Sequence, residues 1–214
     1  MNPARPRAVL FDWDNTLVDN WGAIRAALNA ALRAFGHAEW TLEETHARVR
    51  RSLRETFPEI FGTEWQRARA IFYQSFEETH LDVLATLPGA AELLATIDVP
   101  MAVVSNKQGK LLRREAAHLG WAARFHRLIG AGDAVRDKPD PAPFAMAMDG
   151  LKLHTGDVIW YVGDTGLDMQ AAHGASCVPI LVGNGMGDDD ILERYPPAVR
   201  VPSLGALTAL WRGL

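Results

Sequence analysis

Apolar and polar positions divide the chain into two regions with different periodicities. Residues 8–11 form a short apolar run that stops at a carboxylate, which is typical of a buried strand in a parallel sheet. Beyond this strand the apolar residues recur at the spacing of amphipathic helices. The helices predicted there cover residues 21–35, 42–57 and 64–80.

The ends of these predicted helices carry residues that start or stop a helix. Gly36 follows the first helix, and Pro58 is expected to end the second. Thr41, three residues before Glu44, predicts a capping box at the start of the second helix. The region that follows the first strand is therefore predicted to be all-helical.

From Leu87 onward, helical and strand patterns alternate. Pro88 and Gly89 open a helix. The strands predicted after it cover 101–105, 125–129, 158–162, 177–182 and 199–201, and the helices cover 108–119, 141–149, 166–173 and 203–211. Alternation of this kind implies a mostly parallel sheet with helices on both faces.

The predicted fold class is therefore α/β, with a Rossmann-like three-layer core and an all-helical segment inserted after the first strand. Residues 1–17 and 87–214 are assigned to the core, and residues 18–86 to the insert. The junctions at the two ends of the insert are expected to be hinges.

Net charge, cysteine content and the lack of long apolar segments argue against several classes of protein. The chain has 214 residues and a net charge of -4, which argues against a nucleic-acid-binding surface. Cys177 is the only cysteine, so no disulfide can form within the chain. Residues 1–7 lack the apolar stretch of a signal peptide, and no segment approaches the ~20 apolar residues of a membrane span. We expect a cytoplasmic protein with no membrane or nucleic-acid partner, as a monomer or a homodimer.

Residues that carry chemistry lie in four segments, three of them at the ends of predicted strands. In chain order they supply two acids, a hydroxyl, a lysine and two further acids: Asp12 with Asp14, Ser105, Lys138, and Asp164 with Asp168. In open α/β sheets, ligands bind beyond the carboxyl ends of the strands. Two carboxylates at that edge can hold a divalent cation, and one can attack an electrophile while the other moves a proton.

In their order and setting, these segments resemble the four motifs of the haloacid dehalogenase superfamily, over essentially the whole chain. The helical insert is similar to the small cap that some of its members carry. The resemblance implies that Asp12 is a nucleophile that forms an aspartyl-phosphate. Asp14 would then protonate the leaving alkoxide and later deprotonate the water that cleaves the intermediate. Lys138 would offset the negative charge of Asp12 and of the phosphoryl group.

The same resemblance implies a Mg²⁺ cofactor between the phosphoryl oxygens and the protein. Its expected ligands are Asp12, Asp164 and the backbone carbonyl of Asp14. Asp168 is expected to act on the metal through a water molecule or another ligand rather than directly. Trp13 lies between the two acids of the first segment, and its side chain is expected to point away from the metal and into the interior.

The phosphoryl group of the substrate is expected to bind at the same edge of the sheet. Ser105, with backbone N–H groups at Asn106 and around Asn15 and Thr16, would donate to the phosphoryl oxygens. Ser105 and Asn106 are also expected to cap the helix that starts near Gln108.

Three arginines of the insert are candidates for recognising the rest of the substrate. Arg50, Arg51 and Arg54 lie at spacings that let them share one face of a predicted helix. Arginine can bind a carboxylate or a second phosphate with two parallel hydrogen bonds. A solvated basic face is the alternative for these three, and Arg48, four residues after Glu44, is assigned to such a face.

We therefore predict that the protein catalyses Mg²⁺-dependent hydrolysis of a small phosphorylated metabolite. A substrate similar to 2-phosphoglycolate is expected, because the chain resembles phosphoglycolate phosphatases most among the capped relatives. A phosphosugar mutase on the same core stays open. A phospho-accepting signalling receiver, the alternative from another class, would lack the insert and would not carry its nucleophile on the first strand. A dehalogenase would leave Asp14 without a role, and a phosphonate hydrolase needs a cap lysine that residues 18–86 do not contain.

Overall fold

The computed structural model describes residues 3–49, 53–185 and 188–214, the side chains of 53–55 excepted. The strands in these residues are β1 (Ala8–Phe11), β2 (Val18–Asp19), β3 (Ala85–Thr86), β4 (Met101–Gln108), β5 (Leu128–Ala131), β6 (Ile159–Gly163), β7 (Val178–Val182) and β8 (Val199–Val201). The helices are α1 (Trp21–Ala34), α2 (Leu42–Arg48), α3 (Leu53–Phe61), α4 (Trp65–Thr79), α5 (Ala90–Thr96), α6 (Gly109–His118), α7 (Ala142–Met148), α8 (Gly166–Gly174), α9 (Asp189–Arg194) and α10 (Leu204–Arg212). None of the described helices is both long and apolar enough to cross a membrane.

The chain forms two compact units, Met1–Val18 with Thr86–Leu214 and Asp19–Ala85. Within the described residues, the larger unit contains a six-stranded sheet in the order β5-β4-β1-β6-β7-β8, and all neighbouring strands are parallel. Numbered within the sheet, the order is 3-2-1-4-5-6, which is that of Rossmann folds and confirms the predicted α/β class. The receiver alternative would have the order 2-1-3-4-5 instead.

Side chains that alternate along the central strands build a core on each face of the sheet. On one face, Leu10 of β1 and Tyr161 of β6 belong to a buried cluster with Phe144 of α7. On the other face, Trp160 packs edge to face on Trp211 of α10. Burial on both faces explains why these strands are continuous apolar runs in the sequence.

The smaller unit is built from α1 to α4. Helix α1 buries Leu28 and Leu32, and α4, which packs along it, buries Phe72 and Phe76. The capping box predicted at Thr41 is present at the start of α2. The role of this unit as a cap stays a prediction.

Pro58 does not end a helix, contrary to the prediction. It lies inside α3, and the single helix predicted over 42–57 corresponds to α2 and α3 in the described residues. A proline inside a helix removes one backbone hydrogen bond. The helix continues because Phe57 and Phe61, on either side, are buried in edge-to-face contact, and Phe57 also packs on Phe72. Burial of these rings outweighs the lost hydrogen bond.

Strand β4 is longer than predicted, since it runs on through Ser105 and Asn106 to Gln108. Its register on β5 shifts between Val104 and Gln108. The prediction that Ser105 and Asn106 cap the next helix is therefore wrong. Helix α6 begins at Gly109, and Gln108 at its N-cap makes no side-chain capping bond.

Strand β5 begins at Leu128, whereas the sequence pattern predicts its start at Phe125. Phe125 follows a short 3-10 turn and is buried against the ring of Trp13. An apolar side chain can thus fill the core from a loop as well as from a strand. Trp13 itself is fully buried, as predicted.

Candidate active site

The register of the central strands brings the polar residues at their ends to one edge of the sheet. Phe11 of β1 pairs with β4 on one side and with β6 on the other. Asp12 follows Phe11 directly, Ser105 lies near the end of β4, and Asp164 follows β6. Strand order reverses at β1, and the crevice at such a reversal is where ligands bind in open α/β sheets.

Lys138 is the centre of a buried hydrogen-bond network at this edge. Its Nζ donates to Asp12 Oδ1 and to Asp168 Oδ1, each at 2.7 Å, and to the Tyr161 hydroxyl at 2.8 Å. The Tyr161 hydroxyl in turn donates to the backbone carbonyl of Val104 at 2.8 Å. The ammonium group is therefore held between two carboxylates.

This network sets the protonation of its members. Burial alone would lower the pKa of Lys138, but the adjacent Asp12 and Asp168 raise it well above its ordinary value. Burial raises the pKa of Asp12 to about 6; Asp168 and Asp14 act in the same direction, and Lys138 opposes them. Burial alone would also raise the pKa of Asp168, but Lys138 and Thr165 together lower it. Lys138 is thus a cation and Asp168 an anion at neutral pH.

Asp164 adds a further buried carboxylate to this edge. It accepts a hydrogen bond from the Thr16 hydroxyl at 2.9 Å. Burial, together with the negative charges of Asp168 and Asp12, raises the pKa of Asp164 well above its ordinary value. One ligand atom from each of Asp12, Asp164 and Asp168 lies within 4.8 Å of the others. Buried carboxylates crowded in this way fit a divalent cation, which would offset their repulsion.

Asp168 differs from the other two acids because donors of the protein contact both of its oxygens. Oδ1 accepts from Lys138, and Oδ2 accepts from the Thr165 backbone N–H at 3.0 Å and from the Thr165 hydroxyl at 2.6 Å. A Cβ at Gly163 would overlap the Asp168 side chain, so glycine is needed for this close approach. Asp12 and Asp164 are therefore better suited than Asp168 to direct metal coordination.

Asp14 contacts a second buried lysine, which the sequence analysis does not predict. Lys107 Nζ lies 2.9 Å from Asp14 Oδ1 and 2.8 Å from Glu115 Oε1. Glu115 also accepts from the indole N–H of Trp13, through Oε2, at 2.7 Å. Lys107 and Glu115 are buried, whereas the Asp14 side chain is about one quarter exposed, at 27%.

Asn106 has a role other than the one predicted for its side chain. Its carboxamide makes two hydrogen bonds to the backbone of Lys138, donating from Nδ2 to the carbonyl at 3.1 Å and accepting at Oδ1 from the N–H at 3.0 Å. Ser105 Oγ accepts from the backbone N–H of Lys107 at 3.3 Å. Asn106 thus holds the loop that contains Lys138 at the end of β4, whereas the sequence predicted that it would cap the next helix.

The turn after Asp14 also differs from expectation. The backbone N–H groups of Asn15 and Thr16, expected to bind phosphoryl oxygens, donate within the turn to the carbonyls of Val18 and Trp13. Asn15 has a left-handed backbone with φ of 61°, which is uncommon outside glycine. This pair of N–H groups is therefore satisfied by the turn itself.

The candidate arginines of the helical unit cannot be placed in the site. Arg50 and Arg51 lie outside the described residues. Arg54 belongs to α3, and its side chain likewise lies outside the described part of the chain. Their part in substrate binding stays a prediction, whereas Arg48 lies 3.6 Å from Glu44 on an exposed face.

Three residues at this edge of the sheet are not predicted from the sequence, although each has a local sequence feature that points weakly to its role. Lys107 directly follows Ser105 and Asn106 at the end of an apolar run. Glu115 lies on the face of α6 that also buries Leu111 and Leu112, where an acid needs a partner. Tyr161 is an aromatic residue with a hydroxyl inside an otherwise apolar strand.

Comparison with known proteins agrees with this geometry. The sequence profile of the haloacid dehalogenase-like hydrolases matches residues 9–182. A phosphoglycolate phosphatase from Xylella fastidiosa is 33% identical over 179 residues, which cover 80% of this chain and 78% of the relative. One from Chromobacterium violaceum is 28% identical over 204 residues, covering 90% of this chain and 91% of the relative. A crystal structure from Clostridium difficile superimposes with a TM-score of 0.85 over 98% of this chain and all 100% of that one; at 19% identity this shows a shared fold.

The chain belongs to the haloacid dehalogenase-like hydrolase family, as the profile match and the Xylella relative both show. Within that family, its similarity to phosphatases makes it an enzyme of the phosphoric monoester hydrolase class.

Proposed function

We propose that this enzyme hydrolyses a small phosphomonoester similar to 2-phosphoglycolate, with Mg²⁺ as cofactor and an aspartyl-phosphate on Asp12 as intermediate. The observation that carries the proposal is the position of Asp12 at the end of the central strand, 2.7 Å from the buried Lys138 ammonium. The relatives described as phosphoglycolate phosphatases support the choice of substrate. The cytoplasmic location and the oligomeric state stay predictions.

Two half-reactions would share the same residues. In the first, a carboxylate oxygen of Asp12 attacks phosphorus, the bond from phosphorus to the leaving oxygen breaks, and Asp14 gives that oxygen a proton. In the second, water attacks the phosphorus of the aspartyl-phosphate while Asp14 takes a proton from it. Inorganic phosphate leaves, and the Asp12 carboxylate is restored.

Lys138 and the end of β4 would orient the substrate. The Lys138 ammonium offsets the charge of Asp12 and would offset that of an incoming phosphoryl group. Ser105 and the backbone N–H of Asn106 are the donors proposed for the phosphoryl oxygens. Because Asn106 also holds the backbone of Lys138, these groups would keep a fixed separation.

The acidic cluster fits a hard divalent cation, since its groups offer oxygen ligands alone. We assign the side chains of Asp12 and Asp164 and the backbone carbonyl of Asp14 as ligands of Mg²⁺. When bound, Mg²⁺ would reduce the repulsion between the phosphoryl oxygens and the Asp12 carboxylate.

The experiment that tests this function is phosphate release from a panel of phosphomonoesters, with and without Mg²⁺. We expect turnover of 2-phosphoglycolate that is lost in excess EDTA and restored by Mg²⁺, and no turnover by the Asp12→Asn variant. No release from any phosphomonoester, or full activity in excess EDTA, would contradict the proposal.

A further inference from the structure

The pair Lys107 and Glu115 forms a buried connection to Asp14 that the four-segment pattern of the sequence does not contain. Lys107 Nζ lies 2.9 Å from Asp14 Oδ1 and 2.8 Å from Glu115 Oε1. Glu115 Oε2 accepts from the Trp13 indole at 2.7 Å. One ion pair, which links β4 to α6, therefore holds two adjacent residues of the loop after β1, Trp13 and Asp14.

The burial of this pair is unusual enough to need an explanation. The side chain of Lys107 is 4% exposed and that of Glu115 is 0% exposed. Buried ion pairs often stabilise a protein no more than well-packed apolar residues of similar size, because both charges must leave water. Stability alone therefore does not account for a lysine and a glutamate at these positions.

The contacts of Asp14 offer a different explanation for the buried pair of Lys107 and Glu115. Asp14 lies in the loop that follows β1, and its side chain is about a quarter exposed. Lys107 holds Oδ1 of Asp14, and Glu115 holds Lys107 on a helix in the core. A proton-transfer group works only when it is held at the correct distance and angle to the reacting oxygen.

We propose that Lys107, anchored by Glu115, is a positioning residue that holds the Asp14 carboxylate for proton transfer. This inference rests on the proposed function, in which Asp14 serves both half-reactions. An oxygen that accepts from an ammonium group is not the one that carries the proton, so Oδ2 of Asp14 is assigned that task. Oδ2 would give its proton to the leaving oxygen and take one from the attacking water.

The test is the double variant Lys107→Met/Glu115→Gln, which removes both buried charges together and leaves neither unpaired. The glutamine oxygen can still accept from the Trp13 indole. Lys152→Met is the matched control, because Lys152 is exposed in the loop before β6. Circular dichroism and thermal melting would establish that the variants are folded, and Lys107→Met alone serves as a second variant.

Two rates are measured with Mg²⁺ present: formation of the phosphoenzyme by rapid quench, and its hydrolysis after labelling with ³²P. We expect hydrolysis of the phosphoenzyme to slow by about 10²-fold, as for partial loss of general base catalysis. Phosphoenzyme formation should fall by a similar factor with 2-phosphoglycolate. It should fall much less with p-nitrophenyl phosphate, whose leaving group needs little protonation. KM for 2-phosphoglycolate should change little, because both steps slow by a similar factor.

A thermodynamic cycle with Asp14→Asn identifies the residue through which the pair acts. If Lys107 acts through Asp14, the double variant should add almost nothing to the slow phosphoenzyme hydrolysis of Asp14→Asn. Multiplied losses of hydrolysis in that background, equal losses of phosphoenzyme formation with both substrates, or a raised KM alone would overturn the inference. A wild-type protein that forms no phosphoenzyme would instead refute the proposed function, so the two failures are distinguishable.

Discussion

Lys138 Nζ lies 2.7 Å from Asp12 Oδ1, although 126 residues of sequence separate the two side chains. Both are buried, and the lysine is also held by Asp168 and by the Tyr161 hydroxyl. Because Lys138 holds Oδ1, Oδ2 of Asp12 is the oxygen to which the proposed mechanism would transfer the phosphoryl group.

Asp12→Asn should abolish turnover and leave the protein folded, because the amide is nearly isosteric with the carboxylate but is not a nucleophile. The expected loss in kcat is on the order of 10⁴-fold or more. Steady-state kinetics, with circular dichroism of the same sample, measure this. Retention of more than about a tenth of kcat by the folded variant would refute the role of Asp12.

Asp14→Asn should reduce steady-state turnover nearly as much, because both half-reactions lose their proton-transfer group. It should still form phosphoenzyme from p-nitrophenyl phosphate, since departure of this leaving group needs little acid catalysis. Acid-quenched samples that contain radiolabelled protein would show the trapped intermediate. Failure to trap any, under conditions where the wild type is labelled, would count against the assignment of Asp14.

Binding of Mg²⁺ should stabilise the protein more at pH 7.5 than at pH 5. Burial raises the pKa of Asp12 from 3.8 to about 6, so folding favours its protonated form. The contribution of Asp12 to stability is therefore largest below 3.8 and falls as the pH rises through 6. Mg²⁺ would offset this loss of stability only at pH values at which the Asp12 carboxylate is ionised.

The measurement is the increase in Tm on adding Mg²⁺ to metal-free protein at the two pH values. Asp12→Asn is the control, and its metal-induced shift should depend less on pH, because only Asp164 then retains a raised pKa among the two carboxylate ligands, without the contribution of the Asp12 charge. Ca²⁺ should bind at the same carboxylates but inhibit turnover, since it tolerates additional carboxylate coordination. An equal Mg²⁺-induced increase in Tm at both pH values would be inconsistent with Asp12 as a ligand.

Tyr161→Phe should lower activity without removing any group that contacts the substrate in the proposed mechanism. It deletes the hydroxyl that accepts from Lys138 and donates to the Val104 carbonyl. We expect kcat to fall by about 10- to 100-fold, as for other residues that orient a functional group. Stability should fall by about 1–3 kcal/mol, because a buried carbonyl loses its donor.

The matched control for this change is Tyr195→Phe, at a half-buried position after α9. It should leave kcat and the free energy of unfolding nearly unchanged. Chemical denaturation and steady-state kinetics on both variants provide the comparison. Wild-type kcat in Tyr161→Phe would show that Lys138 needs no help from the hydroxyl.

Local periodicity determined much of the architecture of this protein. Apolar runs and helical spacing predicted the alternating core, the helical region after β1 and the capping box at Thr41, because each depends on residues close together in the sequence. The polar residues at strand ends could be recognised for a similar reason: a parallel sheet places the carboxyl ends of its strands on one edge. The α/β class and the candidate acids Asp12 and Asp164 were therefore accessible from the sequence.

Only the tertiary structure decided which of these side chains contact each other. The contacts from Lys107 to Asp14 and from Thr16 to Asp164 join residues 93 and 148 positions apart, and they depend on strand register and on how α6 packs. No local pattern encodes such distances. The position of Glu115 on the apolar face of α6 indicates that this acid needs a partner, but it does not identify the partner. The continuation of α3 through Pro58 has the same physical origin, since burial of Phe57 and Phe61 outweighed the local preference of the chain.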